Sequence, residues 1–202
     1  LPLPPGGGAG PPGRPDPVRS RPTRTADGEA VSLCCNIAGP RDVPSVLEHT
    51  GEGVGLFRTE FLFMNRSAPP SEEEQFRIYQ DAARRLDGRE IVIRTLDIGG
   101  DKDITCLDTD QEENPFLGFR AIRYCLSRPD LFKTQLSAIL RASAYGSIRI
   151  LLPFVSCVDE VRSARVMLEE TKCRLAQEGI PFDRDISLGV MVETPAAVFL
   201  AD

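Results

Sequence analysis

Ser71-Glu-Glu-Glu-Gln-Phe-Arg-Ile-Tyr-Gln-Asp-Ala-Ala-Arg-Arg-Leu86, followed after a short polar gap by Ile91-Val-Ile-Arg94, is a capped helix running into a buried strand. Ser71 can accept an orphan backbone N–H while Glu74 reaches back to the cap, which is a capping box. Phe76, Tyr79, Ala83 and Leu86 then recur at the spacing of one helical face. Residues 91–94 are short, β-branched and apolar up to the final arginine, the pattern of a parallel strand under helices. Gly53-Val-Gly-Leu-Phe57 reads as the strand before the helix, so this region is one strand–helix–strand unit.

The alternation continues both ways. Residues 31–37 read as the first strand, 148–152 as the fourth and 188–192 as the fifth, all mostly apolar on both faces. Pro129 suits the first turn of a helix with an apolar face of Phe132, Leu136, Ile139 and Leu140, and Gly146 lies near its end. The capping pattern returns at Ser156 and Asp159, ahead of Val161, Ala164, Leu168 and Leu175, with Gly179 as the stop. Another helix begins near Ala196. Five βα units in a row predict an α/β fold with a parallel sheet. A doubly wound open sheet and a (β/α)8 barrel both fit, and a barrel would lack about three of its eight units.

Residues 1–24 differ from the rest. They hold eight prolines and five glycines, with four arginines and one acid. Such a segment cannot bury enough surface to offset its ordering entropy, so 1–24 is expected to be disordered or a linker and 25–202 the domain. The whole chain of 202 residues carries −6, so the part after residue 24 carries −9. An acidic body argues against a nucleic-acid surface, though a few arginines can still make a local anion pocket. No apolar run approaches the roughly 20 residues of a membrane span, and no leader resembles a signal peptide. Six cysteines include no C-x-x-C pair and the one histidine, His49, cannot complete a zinc set alone, so the cysteines read as free thiols in a reducing compartment, the cytoplasm.

Three charged residues interrupt apolar strands at or just past their carboxyl ends: Arg58, Arg94 and Glu193. Each alone has an ordinary reading as a solvated or ion-paired residue. Together they converge on the end of a parallel sheet where ligands bind. Arginine offers a charged planar fork matching carboxylate and phosphate oxygens. A glutamate there can hold Mg2+, which takes one or two carboxylates and leaves other positions to water and substrate. The set suits a small anion with a phosphate and a carboxylate. Gly51, Gly53 and Gly55 precede a strand with the wrong spacing for a dinucleotide loop. Gly99-Gly-Asp-Lys102 follows the third strand and reads equally as a phosphate nest or a tight turn.

Four stretches, in order, resemble Enzyme I of the bacterial sugar phosphotransferase system, the phosphoenolpyruvate–protein phosphotransferase family. They are Gly53-Val-Gly-Leu-Phe-Arg-Thr-Glu-Phe-Leu-Phe-Met64, Arg94-Thr-Leu-Asp-Ile-Gly-Gly-Asp-Lys102, Glu113-Asn-Pro-Phe-Leu-Gly-Phe-Arg-Ala-Ile-Arg123 and Val190-Met-Val-Glu-Thr-Pro-Ala-Ala197. The resemblance implies a (β/α)8 TIM barrel, truncated here after about five βα units. It implies Arg58 and Arg94 as substrate-binding arginines, Glu193 as one of two Mg2+ ligands, and Lys102 and Arg120 as supporting charges. It implies transfer of the phosphoryl group of phosphoenolpyruvate to a histidine on another domain, then to the carrier HPr, and a homodimer formed through the barrel. The family's phosphoacceptor histidine, second metal ligand and acid cysteine are not matched here, so no catalytic residue is assigned in this chain, and the fragment alone is expected to be inactive. The alternatives are a non-catalytic interaction or dimerisation module and a pyruvate phosphate dikinase-like enzyme; the Gly99–Lys102 run argues against the latter.

Overall fold

Five short strands make one parallel sheet, laid down in chain order. The computed structural model describes residues 23–98, 106–107 and 117–201. Among β1 (Cys34–Ile37), β2 (Gly53–Arg58), β3 (Ile91–Arg94), β4 (Ile148–Leu152) and β5 (Leu188–Val190), each consecutive two pair in parallel. A doubly wound sheet reverses its strand order at a switch point. These five strands contain no reversal.

The connections are helices whose ends follow local chemistry. α2 (Glu72–Arg85) starts as its capping box dictates: Ser71 Oγ accepts from Glu74 N–H at 3.2 Å, and Glu74 accepts from Ser71 N–H at 2.8 Å. Pairing with Arg66 and these Ser71 contacts hold the Glu74 carboxyl down at about 2. α4 (Pro129–Ser143) begins on its proline, with Phe132, Leu136, Ile139 and Leu140 all fully buried. α5 (Val158–Gln177) starts one residue later than Ser156 would place it. Cys157 is the cap, and Glu160 rather than Asp159 takes the N–H groups of Ser156 and Cys157, at 2.6 and 3.0 Å. Gly179, at φ +68°, ends that stretch as expected. Three shorter helices complete the set: α1 (Val43–Glu48), α3 (Ala121–Ser127) and α6 (Pro195–Phe199). The first two carry no distinct sequence signal.

The two faces of the sheet are unequal, which corrects the expectation of strands apolar on both sides. Ile91 and Ile93 of β3 and Ile148, Ile150 and Leu152 of β4 are buried in one core with Tyr79, Leu86, Phe132, Leu136 and Ile139 from the helices. The alternate residues are only half-buried, as Val92 and Leu151 are, or exposed, as Arg149 is. Arg149 pairs with Glu90 at 2.6 Å. Strand residues alternate between faces with period two, so this contrast runs along the whole of β4.

Two strand boundaries also differ from expectation. β1 starts at Cys34, leaving Val31 and Leu33 exposed, and β5 stops at Val190. Gly53 explains part of the glycine run in front of β2. A Cβ there would lie 2.7 Å from the carbonyl oxygen of Glu90, so the close approach of β2 to the residue before β3 excludes any side chain.

The chain divides into two units, residues 1–32 and 33–202. Of the former, 23–32 are described: an antiparallel bridge between Arg24 and Ala30 closes a turn in which Gly28 takes φ +94°. The Pro/Gly-rich segment 1–24 lies almost wholly outside the described residues. No helix among the described residues is long and apolar enough to cross a membrane.

Candidate active site

Arg58 and Arg94 end neighbouring strands in register with one another. Both strands are apolar until that last residue, so each chain leaves the core on an arginine. Thr59 Oγ1 donates to the carbonyl of Arg94 at 2.8 Å and ties the two ends together. Beyond the strands the two guanidiniums have different surroundings.

Arg94 is pinned. Its Nη2 lies 2.9 Å from Glu60, which is 1% exposed, and its Nη1 lies 2.9 Å from Asp97. Asp97 also accepts from Arg120 Nη2 at 2.7 Å, so one carboxylate bridges two arginines. Burying these charges is costly and their mutual pairing offsets that cost, so removing one partner typically costs about 3–5 kcal/mol. Arg58 is not pinned. Its guanidinium sits over the Phe61 ring at 5.1 Å, its buried Nε has no hydrogen-bond partner, and no carboxylate among the described residues pairs with it. Across these side chains three guanidiniums face two buried carboxylates. The excess is positive, as an anion site requires.

The segment that carries Asp97 is held from below by buried amides. Gln135 accepts from the N–H of Leu96 at 2.8 Å and donates to Tyr79 Oη at 3.3 Å. Tyr79 donates to Gln75 at 3.1 Å, and Gln75 donates to the carbonyl of Pro70 at 3.1 Å. Each polar group in this relay is satisfied, so it fixes the backbone after β3 without leaving a buried group unpaired. Cys125 lies beneath the same segment, its thiol 3.7 Å from the Leu96 carbonyl. Burial, helped by the negative Asp97, pushes that thiol up to about 12, so it stays protonated.

The loops after β4 and β5 form the other wall. Glu193, three residues past β5, is exposed, and its Oε1 accepts from the Phe154 N–H at 2.7 Å. Its second oxygen has no partner among the described residues. Thr194 Oγ1 accepts from Ala197 N–H at the start of α6 and donates to the carbonyl of Val155 at 2.7 Å, locking the two loops. The Phe154 ring has two guanidiniums against it, Arg120 at 4.9 Å and Arg123 at 5.1 Å from its centroid.

Of the residues singled out in the sequence, Arg58 and Arg94 stand side by side, and Arg120 joins them through Asp97. Glu193 belongs to the loop that meets Phe154. Lys102 and the glycines before it lie outside the described residues. His49 caps the end of α1, exposed, with Nδ1 2.8 Å from the Ser45 carbonyl. Sequence reasoning missed Glu60, Asp97 and Phe154. The first two had a signal in their spacing, an acid two or three residues after each strand-end arginine. Phe154 had none. Among the described residues no three His, Cys, Asp or Glu side chains gather as a metal cluster, and all six cysteines are free thiols.

Residues 15–202 match the family described as PEP-utilising enzyme, PEP-binding domain. The chain is 52% identical over 180 residues to a phosphoenolpyruvate-protein phosphotransferase of Priestia megaterium, covering 89% of this chain and 31% of that protein. It is 49% identical over 185 residues to the protein of that name from Staphylococcus carnosus, covering 92% and 32%. A Staphylococcus aureus protein of that name is likewise 49% identical over 185 residues. The chain thus spans about a third of the length of the curated relatives it matches.

Proposed function

Because the chain belongs to the family of PEP-utilising enzymes and carries their PEP-binding domain, we propose that it is the phosphoenolpyruvate-binding part of a phosphoenolpyruvate–protein phosphotransferase. The observation that carries this reading is the pair of register-matched arginines, one pinned and one uncommitted, at the carboxyl ends of adjacent parallel strands. The sequential strand order supports a (β/α)8 barrel of which these five βα units are part, with the site at its carboxyl-terminal face.

In this reading the uncommitted Arg58 engages an anionic oxygen of the substrate with its full donor fork. Arg94, already oriented by Glu60 and Asp97, offers a fixed direction of positive charge and needs no reorganisation as the reaction proceeds. Arg120, shared with Asp97, adds to the field. The bond from phosphorus to the enol oxygen breaks as a bond forms to a histidine nitrogen on another domain, and the electron pair leaves on the enolate of pyruvate. Protonation of that enolate carbon is assigned to an acid outside this chain. The arginines contribute positioning and charge, which is most of what phosphoryl transfer asks of a protein.

Glu193 fits Mg2+ as a hard oxygen donor at an open position, with one oxygen held by a backbone N–H and the other uncommitted. Bound there with substrate oxygens and water, Mg2+ would neutralise charge on the phosphoryl group. Passage of the phosphoryl group to HPr, a homodimer formed through the barrel, and a cytoplasmic location complete the proposal.

The test uses the full-length protein that carries this chain, given radiolabelled phosphoenolpyruvate and Mg2+. Base-stable, acid-labile labelling of the protein is expected, reduced by about a hundredfold or more in Arg58→Ala. An unlabelled wild-type protein, or an unaffected Arg58→Ala, would overturn the reading.

A further inference from the structure

Phe154 stands in a backbone conformation that its side chain disfavours. Its φ is +56°, in the left-handed region where the Cβ of an L residue crowds the following carbonyl, and where glycine sits without penalty. A bulky aromatic residue held there is an outlier, and such outliers gather at sites where the surroundings enforce them. Here they do so from three sides. The backbone N–H donates to Glu193 at 2.7 Å. The next carbonyl, Val155, accepts from Thr194 at 2.7 Å. The ring has Arg120 over it at 4.9 Å and Arg123 at 5.1 Å.

The two guanidiniums have separate carboxylate anchors. Arg120 pairs with Asp97 at 2.7 Å, and Arg123 has Glu160 at 3.7 Å. Arg123 also donates to the carbonyls of Leu117 and Gly118, both at 2.9 Å. It is therefore fixed without the ring. Among the described residues Arg120 has one carboxylate, Asp97, its buried Nε has no hydrogen-bond partner, and it directly precedes a second left-handed residue, Ala121 at φ +50°. Among the described residues the π face of Phe154 is the other attraction on the Arg120 guanidinium. The negative π face also attracts Arg123, so one ring offsets part of the repulsion between two neighbouring like charges.

We propose that Phe154 is a positioning residue that serves both walls of the site, its ring holding Arg120 in the arginine cluster and its N–H holding the Glu193 carboxylate. The left-handed backbone is what lets one residue do both, because it turns the N–H toward the β5 loop and the ring toward α3. This inference rests on the phosphotransferase reading for its kinetic consequence, but not for its geometric one.

Three variants of the full-length protein separate the two functions. Phe154→Gly removes the ring, keeps the N–H and accepts the backbone angle. Phe154→Leu keeps apolar bulk without a π face. Phe154→Tyr keeps the face. With Gly and Leu the KM for phosphoenolpyruvate should rise about tenfold, the factor an ordinary cation–π contact is worth. Direct Mn2+ binding to Phe154→Gly, followed by paramagnetic resonance, should stay within about twofold of wild type because the N–H remains. Phe154→Tyr should restore the wild-type KM. A structural role alone would move KM and Mn2+ binding together and would not be rescued by tyrosine, and either result overturns the proposal. An unchanged KM in both Gly and Leu does so as well. The geometric part has its own readout, the ring-current shift of the Arg120 side-chain resonances, identified by their loss in Arg120→Lys. That shift should persist in Tyr and vanish in Gly and Leu. If wild-type protein does not turn over phosphoenolpyruvate, the phosphotransferase reading falls, and the ring-current shift still decides the positioning.

Discussion

The two faces of one sheet teach different lessons about what a side chain is for. On the helix-covered face, Ile91, Ile93, Ile148 and Ile150 are interchangeable in kind: each is apolar, buried and surrounded by other apolar groups. What they supply is area removed from water, about 25 cal/mol per Å2, with no direction attached. At the carboxyl edge, where Arg58 and Arg94 leave the strands, every contribution is directional. Two residues of the same type in the same register have different surroundings there, because the acid that follows each of them, Glu60 or Asp97, pairs with Arg94.

The sharpest way to break that comparison is to damage the covered face and look at the site. Phe132→Ala should destabilise the protein by about 3–5 kcal/mol, the usual cost of deleting a fully buried phenylalanine side chain. It should leave the KM for phosphoenolpyruvate unchanged at temperatures where the protein stays folded. Denaturant midpoints give the first number and steady-state kinetics the second. A raised KM would show that the core reaches the site through more than the Gln135 relay.

Arg94→Lys attacks from the other side. Lysine keeps the charge but cannot fork between Glu60 and Asp97. Phosphotransfer should fall about a hundredfold or more, near 3 kcal/mol of transition-state stabilisation, with a smaller loss of thermal stability from the unpaired acid. Near-normal turnover in the purified variant would remove Arg94 from the site. Glu193→Gln should act more mildly. An amide oxygen lacks the charge that offsets stripping water from a hard cation, so half-maximal activity should need about tenfold more Mg2+. Because Glu193 is exposed, the melting temperature should not move, and an unchanged Mg2+ requirement would show that its neighbourhood to Phe154 is structural only.

The smallest effect belongs to Cys125, buried under the site. Its folded-state value of about 12 lies above the unfolded-chain value of 9.0. Keeping the thiol neutral therefore contributes stability that is complete below pH 9 and is lost as pH rises toward 12. Alkylation at neutral pH should label the exposed Cys34, Cys157 and Cys173 first and Cys125 only on unfolding. Early labelling of Cys125 would mean that the segment around Leu96 opens readily.

Much of the covered face was legible in the sequence because its signals are local and redundant. The α2 capping box and the α4 apolar face are present as predicted, since a helix start and a helical period are written in neighbouring residues. The α5 cap slipped by one because Asp159 and Glu160 are both acidic, and only side-chain reach selects the glutamate. Two-sided burial was misjudged because Arg149 is the only polar residue of β4. At the site, Arg58 and Arg94 were visible as charges ending apolar runs. Phe154 was not, because a left-handed backbone under an aromatic residue has no pattern in sequence, and its partners are 31 to 39 residues distant. The buried relay through Gln75, Tyr79 and Gln135 was hidden for the same reason, being made entirely of contacts between elements.

The strand order has a consequence for how the molecule comes into being. A polypeptide leaves the ribosome from its amino end at about 5–20 residues per second. In a sheet ordered β1-β2-β3-β4-β5, each emerging strand meets its partner already made, and no strand waits for a later one to be inserted beside it. The nascent chain can therefore grow its sheet by addition at one edge, each loop closure joining strands adjacent in sequence, the longest being the one through α3 and α4. The covered core through β4 can form once Leu152 has emerged, whereas Glu193 arrives some forty residues afterwards, a lag of a few seconds at that rate. Scaffold precedes chemistry in time as well as in space, and a ribosome stalled between those two points would hold a packed sheet whose arginine edge still lacks its acidic wall.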